Sequence, residues 1–371
     1  MDAQHRHAHG PDLHVDGPAL HVHGVVLPGR EPTDLWISGG HLVEGPLPEA
    51  DTIARNAWIV PGLVDAHCHV GLGAHGAVPV EETEQQALTE RAAGTLLIRD
   101  AGSPQDTHWI DDREDLPRII RAGRHIARPR RYLRNYAVEI DPAELVRTVA
   151  EQARRGDGWV KLVGDWIDRE HGDLAPLWPA EVAAQAIAEA HRHGARVTAH
   201  CFAEESAREL VEAGIDGIEH GTGLDDHTID LMAERQVALV PTMVNLENFP
   251  QIAASGEAKF PRYAAHMRDL YERRFETLGS AREAGVPIYA GTDAGGTVPH
   301  GLIASEVELL GRLGGAGFAL GAASWRARAW LGAPALEPGA TADLIVYDSD
   351  PLADPGVLRH PRAIILRGRV Y

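Results

Sequence analysis

The chain has 371 residues, 44% of them hydrophobic and 24% charged, ordinary globular values with room for one large domain and a smaller appendage. No apolar run approaches the roughly 20 residues of a spanning helix, and the N-terminal MDAQHRHAHGPDLHVDG lacks the basic-then-apolar order of a secretory signal, so no membrane partner and a cytoplasmic location are expected. A formal charge of −19 argues against nucleic acid and leaves a small-molecule substrate as the expected partner, with a homo-oligomer allowed, while two cysteines cannot organise a disulfide scaffold.

At the N-terminus His5, His7, His9 and His14 have no strand or helix to fix a geometry, which predicts adventitious metal binding at most. Residues 12–57 carry short apolar segments punctuated by Gly and Pro, such as LHVHGVVL and DLWISGGHLVEG, and read as antiparallel strands. From residue 58 onward short apolar strands alternate with helical stretches, the pattern of parallel strands joined by crossover helices. The strands are expected at 58–70, 95–102, 118–127, 159–165, 196–202, 217–221, 238–244 and 287–295. Eight such units predict a (β/α)8 TIM barrel over 58–334.

Between them the helix signals are local. Asp141, Pro142 and Glu144 form a capping pattern closed by Gly156; Pro179 and Gly194 bracket the next helix; AEESARELVEA stops at Gly214. Residues 335–371 return to strand-like segments, ADLIVYD and AIILRGRVY. With residues 1–57 they are expected to form a composite β-sandwich domain, because a closed barrel returns its end near its start.

His67 and His69 are two apart on the first barrel strand, so they share a face while Cys68 takes the other. A lone HxH says little in a chain with 21 histidines, which also has such pairs at 5–7, 7–9, 21–23 and 191–193. What distinguishes this pair is its place at the C-terminal end of a strand, where barrel enzymes put their chemistry. Lys161, His200, His220 and Asp293 fall at corresponding places on strands four, five, six and eight, so all six would converge at one mouth. Imidazole and carboxylate are the usual ligands of zinc and similar divalent ions. Lys161 stands out further: of 35 basic residues only Lys161 and Lys259 are lysines. Its plainer reading is an ion pair with Asp165 or another carboxylate. Cys68 and Cys201 are expected as buried free thiols facing the helices.

Taken together, PGLVDAHCH, VKL, TAHC, IEHG and GTDAGG resemble the amidohydrolase superfamily, in particular the branch with imidazolonepropionase-like, prolidase-like and arginine-carboxypeptidase-like proteins. The resemblance covers nearly the whole chain, including ATADLIVYDSDPLADP as closing sandwich strands. It implies a metal-dependent hydrolase of carbon–nitrogen bonds, acting on an amide of a dipeptide or N-acyl amino acid, or on a related ester. The ligand set it implies is His67, His69 and Asp293 for a buried metal, His200 and His220 for a second, and Lys161 as a bridging carbamate. That makes two Zn2+ per chain, or another divalent metal, with Asp293 also the catalytic proton carrier. A lysine can lose its proton and take up carbon dioxide, whereas an arginine effectively cannot. Two other functions stay open: a mononuclear zinc deaminase or cyclic-amidine hydrolase like imidazolonepropionase, and a catalytically inactive, assembly-forming relative.

Four further residues are candidates for substrate binding. Arg130, Arg131 and Tyr132, in RPRRYLR after strand three, offer a fork for a substrate carboxylate; a solvated loop is the alternative. His300, after strand eight, offers a hydrogen bond to the metal ligands or is a plain loop residue. The arginine-rich run departs from the glycine- and histidine-rich loop of the peptidase branch, which leaves peptide specificity open.

Overall fold

The computed structural model describes residues 18–371, so His5, His7, His9 and His14 lie outside the described residues. The fold is mixed α/β, with parallel strands alternating with helices. Leu63–Gly73 begins the series and is buried from Leu63 to Leu72, as a strand covered on both faces must be. Thr95–Asp100 and Arg118–Arg121 run parallel to it in turn, in a five-stranded sheet that also holds Ala294–Gly296 and Gly76–Ala77. A six-stranded parallel sheet then carries His125–Ala127, Trp159–Val163, Arg196–Cys201, Gly217–His220 and Ala238–Val240, with Ala137–Glu139 at its edge.

The third expected strand is divided between these sheets. It breaks at Ala122–Arg124, where Gly123 has φ +70°, and its halves pair with different neighbours. The eighth is irregular until Ala294, yet its backbone bonds to both sides. Leu239 N donates to Pro287 O at 2.8 Å and Tyr289 N to Leu239 O at 3.0 Å, while Ala66 N donates to Ala290 O at 2.8 Å and Asp293 N to His67 O at 2.7 Å. The approach requires glycine: a Cβ on Gly291 would lie 2.7 Å from the His67 backbone nitrogen. Asp65 reinforces the junction, its carboxylate accepting from His67 N, Thr292 N and the Thr292 hydroxyl.

Strands from both chain ends share one seven-stranded hydrogen-bonded sheet, where the sequence anticipates a sandwich. Its order is Arg369–Val370, Ala363–Leu366, Leu344–Tyr347, Asp51–Pro61, Leu20–Val26, Pro32–Ser38, His41–Val43. One pair departs from the antiparallel expectation: Leu20–Val26 runs parallel to Asp51–Pro61, because the hairpin of Pro32–Ser38 and His41–Val43 intervenes. Trp58–Pro61, expected at the start of the first barrel strand, pairs instead with Leu344–Tyr347 in this sheet. Alternate residues along these strands point to one side, Leu20 and Val22 on one strand and Leu344 and Val346 on another, and they give the sheet its own apolar cluster, separate from the main core.

The helix stops fall where glycine allows them: Ala180–Arg192 ends before Gly194 at φ +72° and Glu204–Glu212 before Gly214 at φ +91°. Asp141 has the extended backbone of an N-cap, but its side chain accepts no bond, and Pro142–Glu144 tightens into a 3-10 turn ahead of Leu145–Arg155. Cys68 and Cys201 are buried and free. No helix among the described residues is long and apolar enough to cross a membrane.

Candidate metal centre

Five of the six residues singled out as ligands are buried and Asp293 is half-buried; His200 and His220 stand at or next to the ends of their strands, Lys161 in the middle of Trp159–Val163, and Asp293 just ahead of Ala294–Gly296. His67 and His69 leave Leu63–Gly73 on one face, and each commits its outer ring nitrogen. His67 Nδ1 lies 2.7 Å from Glu219 Oε2 and His69 Nδ1 2.6 Å from Gly102 O. Their inner Nε2 atoms are 3.1 Å apart and lie 3.0 and 2.9 Å from Asp293 Oδ1. The other carboxylate oxygen, Oδ2, accepts from Asn245 Nδ2 at 2.7 Å. Next to this group His200 Nδ1 lies 2.9 Å from His220 Nε2, and His220 Nδ1 lies 2.7 Å from the Thr242 hydroxyl.

The backbone is bent to make this possible. His220, Thr242 and Asp293, at the ends of three successive strand segments, all have left-handed φ, at +67°, +49° and +61°. Such strain in residues with side chains persists where the surrounding structure holds it, and it gathers at functional sites.

Electrostatics favours uncharged imidazoles at His69, His125, His200 and His220 beside an ionised Asp293. Burial pushes His69, His125 and His200 below the usual histidine value, and His220 down to about 3. His67 goes the other way: burial and Lys161 lower it, but Asp293 and Glu219 outweigh them. Burial would raise Asp293, yet His67, His69 and His220 hold it well below the carboxylate range. Lys161 is 1% exposed, and burial lowers its amine from the ordinary lysine value. Its charge acts on His67, His69, His125, His200 and His220 alike, which sets it among them.

The donor set fits divalent ions. With metal–nitrogen bonds of about 2.0–2.1 Å, neighbouring ligand atoms stand ~3 Å apart, the spacing found in both groups. His200 Nε2 and His125 Nδ1 are buried without a hydrogen-bond partner among the described residues. The Lys161 amine has neither hydrogen bond nor ion pair among the described residues. Asp165, its plainer partner, is engaged elsewhere: Oδ2 accepts from Phe202 N at 2.8 Å, Ala203 N at 2.9 Å and the Ser206 hydroxyl, ahead of Glu204–Glu212.

The amidohydrolase family profile matches residues 58–370. The chain belongs to the amidohydrolase family. Over 347 residues, 93% of this amidohydrolase and 94% of the relative, it is 60% identical to an uncharacterized protein of Mycobacterium tuberculosis. It is also 29% identical over 230 residues to ochratoxinase of Aspergillus niger, a match covering 60% of this chain and 47% of that one. Among solved structures, a Xaa-Pro dipeptidase with methionine bound in its active site superposes with TM-score 0.81 at 23% identity, covering 95% of this chain and 99% of the other. The Aspergillus niger ochratoxinase structure superposes with TM-score 0.78 at 19% identity, covering 95% and 96%. At those identities the structures establish the fold.

A cavity of about 480 Å³ opens over the amidohydrolase's histidines, walled by Tyr132, Tyr136, Trp166, Phe202 and Phe260, with exposed Lys259 on its lining. Of the residues expected to bind substrate, Tyr132 lines this cavity. Arg131 does not: its guanidinium is committed to Asp168 Oδ2 at 2.8 Å and the carbonyls of Trp166 and Ala175 at 3.1 Å. Arg130 is exposed, at φ +61°, outside the cavity wall. His300 lies on the helix side of the first strand, with Nδ1 3.0 Å from Glu90 Oε1 and 3.7 Å from Cys68 Sγ, and so does not join the ligands.

Sequence reasoning missed Glu219, Arg99, His125 and Asn245. Glu219 and Arg99 were visible as charges inside apolar strands, and His125 as the histidine near the end of the third strand. Asn245 had no such signal, since it stands on Met243–Leu246, beyond the end of strand Ala238–Val240.

Proposed function

We propose that this chain is a metal-dependent amidohydrolase that cleaves the amide bond of a dipeptide or an N-acyl amino acid, within a (β/α)8 barrel over about residues 58–334 flanked by the composite terminal domain. The observation that carries this is the gathering of His67, His69, His200, His220 and Asp293 near a buried lysine that has no hydrogen bond or ion pair among the described residues. His67, His69 and Asp293 would hold one divalent ion, His200 and His220 a second, and Lys161 as a carbamate would lie between them; the nitrogen-rich donor set favours zinc. The ions supply an acidified water and a polarised carbonyl.

The chain's own groups do the rest. Asp293, kept ionised by its histidines, takes the proton of the attacking water and returns it to the leaving nitrogen. Asn245 fixes the Asp293 carboxylate for that transfer by holding Oδ2. Glu219 orients His67 by holding Nδ1, leaving Nε2 to face inward. The aromatic walls exclude water and accept an apolar substrate body, and a cavity of about 480 Å³ accommodates a group of dipeptide size or somewhat larger. Lys259 supplies a cation for the substrate's free carboxylate. The names of the relatives agree with amide cleavage, a Xaa-Pro dipeptidase among them.

The deciding measurement is metal content per chain, for the wild type and for Lys161→Ala, with bicarbonate varied. About two ions falling to one or none in the variant is expected. One tightly held ion in both proteins would overturn the bridging lysine and restore the mononuclear reading. A turnover screen over dipeptides, N-acyl amino acids and lactones then identifies the substrate class, and metal binding without turnover of any would favour an inactive relative.

A further inference from the structure

A second cavity, of about 460 Å³, lies at the opposite ends of the same strands. Arg118, Trp159 and Arg196 wall it, and each is the first residue of its parallel strand, whereas the metal-centre histidines stand toward the strand ends. Arg121 and Arg367 complete a set of four guanidiniums, and the carboxylates in the wall are Asp111 and Asp157.

Those two carboxylates are both taken by Arg121, through Nη2 to Asp111 at 2.9 Å and Nη1 to Asp157 at 2.9 Å. Arg118, Arg196 and Arg367 form no ion pair among the described residues. The Arg118 guanidinium makes no hydrogen bond there either. Arg196 packs its guanidinium over the Trp159 ring, 4.3 Å from the centroid, with one long bond of 3.5 Å to Trp330 O. Asp216 acts on Arg196 only at longer range, since its Oδ2 is held by His191 Nε2 and Val197 N, at 2.8 and 2.7 Å. Arg367 uses Nη1 on the carbonyls of Arg113 and Leu116, at 2.9 and 3.1 Å. Trp159 is 1% exposed, and its indole N–H has no acceptor among the described residues.

Guanidiniums without ion partners, gathered in a concave wall, raise the local potential steeply, and here they do so in a chain of charge −19. Mutual repulsion and partial desolvation disfavour such a group unless an anion completes it. We propose that this cavity binds a small anion of two or more negative charges, carried on phosphate or carboxylate groups, which the planar guanidinium forks grip in paired hydrogen bonds. The site is separate from the metal centre and does not depend on the reading of that centre.

Calorimetric titration of the metal-loaded protein with inorganic phosphate, and separately with tricarballylate, tests this in the wild type, Arg118→Gln and Arg196→Gln. The Arg118 side chain is exposed and bonds nothing among the described residues, so its replacement does not threaten folding. Saturable binding of at least one anion is expected, weakened on the order of tenfold or more by each substitution while metal content stays unchanged. Tighter binding of phosphate assigns a phosphate ester, and tighter binding of tricarballylate a polycarboxylate. Binding that is equal in all three proteins, as it would be if the anion sat on the metals, overturns the proposal, and so does an absence of saturable binding of either anion.

Discussion

Glu219 has no solvent contact, and yet it is held as an anion. Burial would raise its pKa, but Arg99, His67 and Lys161 together keep it well below the carboxylate range. Arg99 Nη2 lies 2.6 Å from Oε1, which also accepts from the Thr198 hydroxyl, and Oε2 serves His67. Glu219→Gln keeps the volume and removes the charge that both partners need. Metal affinity, read by competition with a chelator, is expected to fall by roughly 10–100-fold, and stability by ~3–5 kcal/mol because Arg99 is left buried and unpaired. Unchanged affinity would remove Glu219 from any part in orienting His67. The six ligand candidates were legible because strand alternation and strand-end position are properties of sequence order. Glu219 showed as a charge inside the IEHG strand, but which way it faces was not legible, since its neighbour His220 turns left-handed and the simple alternation that assigns inward and outward faces fails there. His300 failed for the complementary reason: a loop residue has no period, and only the packing of Glu90 on Val80–Ala92 decides where it goes.

Beyond the fourth expected strand the sequence carries no strand signal, yet the chain there forms a hairpin, Asp165–Asp168 against Asp173–Pro176. Its strands are short and not apolar enough to announce themselves, and a clamp from a distant loop holds them. Arg131 reaches the side chain of Asp168 on one strand and carbonyls on both. The arginine that looked like a substrate fork is thus a staple for the element that presents Trp166 to the cavity. Arg131→Met is expected to raise KM roughly tenfold for every substrate that fills the aromatic wall, with metal content unchanged. The check is to compare a substrate with a free carboxylate and its amide. A KM increase confined to the carboxylate form would mean that Arg131 binds substrate after all.

At the scale of the molecule, the order of elements was readable from alternation alone, and the pairing of the two chain ends came with it. The seam at Pro287–Asp293 was less so, because its fit depends on Gly291 lying against His67 and on a bent Asp293, features that no hydrophobic period records. Contacts that tie separate units together were likewise invisible, and His266 is one of them. It stands on Pro261–Glu283, with Nδ1 3.0 Å from Asp173 Oδ1 in the hairpin and Nε2 3.1 Å from Glu204 Oε2 at the start of Glu204–Glu212. Two carboxylates on two ring nitrogens require the imidazolium, and the bond to Glu204, ahead of the opposing effect of burial and the help of Asp173, moves its pKa up to about 9. Arg273, which also bonds Glu204, is the nearby cation that competes for that carboxylate. Because the folded value lies above the ~6.5 of an unfolded chain, the stabilisation is fully present below about pH 6.5 and is lost as pH rises through about 9. The triad is partly exposed, so after allowance for solvent screening its worth is ~1–2 kcal/mol. Denaturant unfolding of the wild type and His266→Gln should therefore show a gap of that size near pH 6 that narrows toward zero by about pH 10. A gap equally wide at both pH values would mean that His266 holds these elements together by shape and not by charge.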